Sequence, residues 1–211
     1  MPRITRRKFL KMATYAGLGG IAGGRALSAP LILTPKRTKT NTEAGELIFK
    51  PIIVQKGRGP HLLDWAYASD EHWDAFHSNI TASNEGVKIS DTEGTQKFGI
   101  DVRWNVEGFG YIYITADNGG EFYELPPKGK QRELNLNFEL AKSRVLRNRR
   151  RLKLLGQNGW QPSREVRELL ALSDSLYEDA VKSQASAELC GDYAQRALYY
   201  AMLVGEKMEL E

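Results

Sequence analysis

Cysteine is almost missing from this chain: Cys190 is the only one, which excludes an intramolecular disulfide and leaves stability to packing. Histidine is nearly as scarce. His61, His72 and His77 fall within one acidic, aromatic segment, and no two of them are four residues apart, the spacing at which one helix face presents a two-histidine metal site. No cysteine cluster supplements them, so no metal and no cofactor is expected. No serine-nucleophile motif, phosphate loop or dinucleotide fingerprint occurs. The carboxylates of the central region (Glu85, Asp91, Glu93, Asp101, Glu107, Asp117, Glu121 and Glu124) show no pairing in sequence that would mark a general acid and base. No catalytic set is therefore expected. The longest apolar stretch, Met12 to Gly24, is glycine-rich and shorter than the ~20 apolar residues a bilayer span requires.

What surrounds that stretch is informative. Thr5-Arg6-Arg7-Lys8-Phe9-Leu10 precedes it, Arg25 follows it, and Ala26-Leu27-Ser28 then offers small residues at the positions a signal peptidase reads. This is the pattern of a twin-arginine export signal over residues 1–28, with Arg6, Arg7, Phe9 and Leu10 as its recognition residues. The twin-arginine translocase is the expected partner during export. The expected location is the periplasm or the extracellular space, with no membrane span left after cleavage. The formal net charge of +4 belongs to this segment. It holds six basic residues and no acidic one, and without it 24 basic residues face 26 acidic ones, a net charge of −2. The basic balance is thus no argument for a nucleic-acid partner, and none is expected.

Residues 29–45, rich in Pro, Lys, Thr and Asn, read as a linker. From Glu46 the pattern turns to short strands. Leu47 to Val54, broken by Pro51, predicts a strand that the proline confines to an edge or bends. Gly57 to Pro60 reads as a turn. Gly86 to Ser90 predicts a short strand, and Phe98 to Val106 alternates clearly, with Ile100, Val102, Trp104 and Val106 on one face and Asp101, Arg103 and Asn105 on the other. Tyr111 to Ala116 returns as a second strand, Asp117-Asn118-Gly119-Gly120 is a strong turn, and Phe122 to Leu125 predicts one more strand before Pro126-Pro127. Past Lys130 the period becomes helical. A first helix carries Phe138, Ala141, Val145, Leu152 and Leu155, interrupted at Asn148. A second opens at Ser163, a good N-cap, and buries Val166, Leu169, Leu170, Ser173, Leu176, Tyr177 and Ala180. A third pattern of small residues includes Cys190, Ala194, Ala197, Ala201 and Gly205, and it runs to the last residue without a stop signal, as in a longer protein cut at this point. The expected class is α+β: a small antiparallel, sandwich-like β region at 46–127, then a helical region at 134–211.

Two surface features could carry binding. Arg144, Arg147, Arg149, Arg150, Arg151 and Lys153 form a basic run, but acidic residues on the following helices make it read as a self-neutralising solvated face. The β region concentrates aromatic residues, and exposed flat rings stack on sugars. Trp65, Trp73 and Tyr111 are the candidate ligand platforms, although a small sandwich also needs large side chains simply to fill its core.

The run Phe98–Gly120 (FGIDVRWNVEGFGYIYITADNGG), followed by Glu139–Arg151 (ELAKSRVLRNRRR), is similar to a region that precedes the barrel in exported proteins related to glycoside hydrolase family 10, the endo-1,4-β-xylanase-like enzymes. The resemblance spans residues 46–211. It implies a β-rich region and connecting helices ahead of a (β/α)₈ barrel. Such a barrel takes ~250 residues and would carry both catalytic glutamates, so no residue here inherits a catalytic role. The implied function is a non-catalytic N-terminal portion of an exported xylanase-like hydrolase that contacts xylan or a similar polysaccharide. The alternative is a stand-alone exported binding or assembly protein that docks a partner through its helical hairpin.

Overall fold

The computed structural model describes residues 44–54 and 63–211. The export signal over 1–28, nearly all of the linker, the turn at 57–60 and His61 lie outside the described residues. The described residues belong to one compact unit and form an α+β fold. The strands are β1 (Glu46–Lys50), β2 (Ala66–Ser69), β3 (Asn79–Ser83), β4 (Gly86–Asp91), β5 (Gly99–Val106), β6 (Gly110–Ala116) and β7 (Gln131–Asn135). The helices α1 (Leu136–Gln157), α2 (Arg164–Lys182) and α3 (Ala187–Leu210) follow.

The strands make two sheets, ordered β3-β4-β1-β7 and β2-β5-β6. Every pairing is antiparallel except β1 with β7, which is parallel over Glu46–Lys50 and Gln131–Asn135. Three sequence expectations are corrected here. β1 is an interior strand, and it ends at Lys50: Pro51 follows it, and the backbone of Ile52 is taken up by Asn137, whose Oδ1 accepts from Ile52 N at 2.9 Å and whose Nδ2 donates to Ile52 O at 3.0 Å. Residues 131–135, expected to open the helical region, form a strand, and the helix begins at Leu136. Phe122 to Leu125 is no strand. It contributes one isolated bridge, Phe98 with Tyr123, because Phe122 takes φ 61° and leaves the extended region.

One core joins both sheets to the helices. Leu47, Phe49, Val87, Ile89, Ile100, Val102 and Trp104 come from the strands, and Leu136, Leu140, Leu176, Ala194, Ala197 and Leu198 from the helices. The third helix spends its small residues in this packing: Cys190, Gly191, Ala194, Ala197, Ala201 and Gly205 are all buried. Capping defines each helix start. Asn135, Ser163 and Ser186 accept from the backbone N–H of Phe138, Val166 and Leu189 respectively, so the last two helical patterns are separate helices. Asn148 does not interrupt α1. It is buried, and its Nδ2 donates to Ala201 O at 2.7 Å, joining α1 to α3. No helix among the described residues is long and apolar enough to cross a membrane.

A buried carboxyl sits in this core. Glu139 accepts from the Tyr123 hydroxyl at 2.7 Å. Burial raises its pKa, while the Tyr123 bond and the Lys142 and Arg132 charges oppose the rise. Burial first, and the Glu139 charge second, push the Tyr123 hydroxyl well above its ordinary value and raise Tyr177 and Cys190 as well. In the unfolded chain a glutamate ionises near pH ~4.3; in the fold it ionises later. The unfolded state therefore gains from ionisation first, and stability is lost as pH rises from the unfolded to the folded value, then levels. Glu139→Gln keeps an acceptor for Tyr123 without this dependence. Its stability relative to the parent, read by urea unfolding, is expected to rise between pH 4 and pH 7. An equal difference at both pH values would contradict the assignment.

Candidate functional site

The inner face of the β2-β5-β6 sheet is apolar and buried, so alternation leaves Tyr67, Ser69, Asp101, Arg103, Asn105, Tyr111, Tyr113 and Thr115 on the outer face. Register sets their neighbours. Tyr67 pairs with Asp101, and Asp101 with Thr115; Arg103 pairs with Tyr113, and Asn105 with Tyr111. Trp65 lies one residue before β2, where its carbonyl accepts from Arg103 N at 3.4 Å.

At one end of the face Asp101 is almost fully buried, accepting from Ser69 Oγ at 3.1 Å and from the Thr115 hydroxyl. Burial and then the Asp101 charge raise the pKa of Tyr67, which keeps it a neutral hydroxyl. In the middle the Trp65 ring lies 4.8 Å from both Tyr67 and Tyr113, steeply inclined to each. Arg103 stands beside them: its Nη2 donates to Asp64 Oδ2 at 2.8 Å, and its guanidinium lies 5.4 Å from the Tyr111 ring centre. Its Nε is buried without a hydrogen-bond partner among the described residues. Trp65, Tyr111 and Tyr113 remain 41%, 46% and 64% exposed, too much for rings whose only role is to fill a core.

Two of the three aromatic residues expected from sequence, Trp65 and Tyr111, thus share this face. Trp73 does not. It sits in a tight turn at φ 67°, where the Asp70 carboxylate accepts from the backbone N–H of His72 and Asp74. These two bonds hold the Asp70 carboxyl below its ordinary value. The Trp73 ring packs 5.7 Å from Phe122 and 4.9 Å from the Arg147 guanidinium. Sequence reasoning missed Tyr113 as a candidate and did not join Arg103 and Asp101 to the aromatic rings. The alternation of β5 had already set Asp101 and Arg103 on the side away from the core; the absent information was the cross-strand register that brings Tyr113 opposite Arg103.

The two described histidines have different partners. His77 Nδ1 lies 2.9 Å from Glu93, and His72 Nδ1 is 3.9 Å from Asp70; no group of three potential metal ligands exists among the described residues. Within the basic run, Arg149 pairs with Asp174 at 2.9 Å and Arg151 with Glu209. No protein-family model matches the chain, and no curated protein or solved structure matches it.

Proposed function

We propose that this chain is a non-catalytic glycan-contacting module of an exported protein, binding through the outer face of the β2-β5-β6 sheet. The observation that carries the reading is the set of exposed rings Trp65, Tyr111 and Tyr113 around Arg103 and Asp64. A sugar presents an apolar C–H face and a rim of hydroxyls. Rings bordered by a guanidinium, a carboxylate and the Asn105 amide meet both needs. The two acids of the face are both engaged, Asp64 by Arg103 and Asp101 by Ser69 and Thr115, which favours binding without cleavage. Partner docking through the small residues of α3 is the weaker reading, since those residues are already buried within the chain. The resemblance to the region ahead of family 10 barrels selects xylan as the first ligand to test.

The test is retention of the full chain by insoluble xylan, with xylo-oligosaccharide titration by calorimetry. Trp65→Ala is expected to weaken binding about tenfold, equivalent to ~1.4 kcal/mol, with little change in thermal unfolding because the ring is substantially exposed. No binding by the parent chain to xylan or other β-linked glycans, or a Trp65→Ala variant that binds as the parent does, would overturn the reading.

A further inference from the structure

A second feature stands apart from the aromatic face and does not depend on its function. Between α1 and α3 lies an open cavity of about 350 Å³, lined by Arg144, Arg147, Arg150 and Arg151 together with Asn148, Leu154, Gly205 and Glu209. Four arginines and one acidic residue thus line this space.

Their partners differ. Arg147 donates to Asp117 Oδ2 at 3.2 Å, Arg150 to the carbonyl of Gly119, and Arg151 pairs with Glu209. The Arg144 side chain has no hydrogen bond or ion pair with any described residue, and its Nε is buried without a partner among them. Burial disfavours its cation, and the charges of Arg147 and Arg151 add to that, against partial relief from Glu206 and Glu209. Nε carries one of the five N–H donors of the guanidinium, and leaving it buried and unanswered is costly.

The backbone makes room for this arrangement. Gly205 on α3 lies directly against the Arg144 guanidinium, and a Cβ there would fall 1.9 Å from Nη2. Any larger residue would displace the head group. The fold thus holds an unpaired cation at a cavity wall beside three more cations, one of which, Arg151, is held by a carboxylate that an incoming anion could replace.

We infer that the cavity between α1 and α3 binds the oxyanion head of a small organic ligand, with Arg144 as its principal contact. Planar guanidinium groups match carboxylate, sulfate and phosphate oxygens in geometry as well as charge. The volume is in the range of small-molecule sites and exceeds what a bare ion needs, and Leu154, 60% exposed at the rim, offers an apolar contact for the body of the ligand.

Calorimetric titration of the full chain with inorganic phosphate, inorganic sulfate, phenyl phosphate and benzoate, at constant low ionic strength with chloride as control, separates these head groups. Saturable binding of at least one, tighter for an organic anion than for the matching inorganic ion, is expected. Arg144→Gln should weaken it tenfold or more, whereas Glu209→Gln, which frees Arg151, should strengthen it several-fold. The gain in the second variant is a result that general loss of structure could not produce, and it stands as the test if Arg144→Gln fails to fold. Absence of saturable binding in the parent, an Arg144→Gln variant that titrates like the parent, or a Glu209→Gln variant that binds no tighter would overturn the assignment.

Discussion

Trp104→Ala should cost this protein about 3–5 kcal/mol, the range for removing a large aromatic side chain from a packed core. Trp104 is fully buried on the inner face of β5, within the core that joins both sheets to the helices. Its Nε1 donates to Gln195 Oε1 at 3.1 Å, and the amide of Gln195 donates onward to Asn105 O at 3.1 Å. Truncation would therefore open a cavity and remove the donor that orients Gln195, loosening the contact between β5 and α3. Trp104→Phe fills most of the volume and loses only the N–H, so it should cost less than half as much. Urea unfolding of both variants checks the pair. A loss below about 1 kcal/mol for the alanine variant would mean that the site collapses around the gap.

Asp117→Ala is the second large effect expected, about 2–4 kcal/mol. The Asp117 carboxylate is fully buried at the turn after β6: Oδ1 accepts from Gly120 N at 3.1 Å and Oδ2 from Arg147 at 3.2 Å. Its backbone N–H donates to Ser143 Oγ on α1 at 2.9 Å. The turn it caps runs through Gly119 at φ 70°, a left-handed backbone that favours glycine. Losing the carboxylate takes one of two acceptors from the Gly120 N–H, which keeps its bond to the Asp117 carbonyl at 2.9 Å, and releases Arg147. Breaking a fully buried charge pair costs about 3–5 kcal/mol, and the lower estimate here reflects an Arg147 side chain that is 40% exposed. Asp117→Asn, which keeps an acceptor for Gly120, should recover part of the loss. Equal unfolding midpoints for the alanine and asparagine variants would show that the cap contributes nothing.

The parts of this fold that could be read from sequence are those whose two sides meet different surroundings. β5 alternates because its inner residues enter the core and its outer ones carry the polar and aromatic face. α2 shows its stripe and its serine cap. The Asp117 turn announces itself through Asn and Gly. β3 and β7 were not legible for the opposite reason. Asn79–Ser83 buries only Ile80 and Ala82, and those partly, while Gln131–Asn135 is polar and mostly exposed. Each is a strand because a neighbour supplies its ladder, and for β7 that neighbour is β1, far back in the chain. The candidate site divides in the same way. Trp65 and Tyr111 could be singled out as residue types, but their meeting depends on the register that aligns Arg103 with Tyr113 and with the Trp65 carbonyl. Trp73 could not be told apart from them, because its left-handed backbone carries no mark in the residue itself. Arg144 read as one more charge on a solvated helix, and only Gly205 on the facing helix reveals why it is different.

The parallel pairing of β1 with β7 bears on how the chain is made. Leu47 pairs with Ile89 on one side and Arg132 on the other, so one edge of an apolar segment stays open until the ribosome has released residues 131–135. An uncovered Leu-Ile-Phe strand is a template for pairing with another nascent chain. Glu46 and Lys50 bracket that segment and Pro51 follows it, placing opposite charges at its ends and a residue without an N–H just beyond. In the finished fold Lys50 meets Glu133 at 2.7 Å with both side chains about half exposed, a pair worth no more than ~1 kcal/mol. End charges and a proline are the kind of device that discourages edge-to-edge pairing, and here they are in place before β1 has its second neighbour.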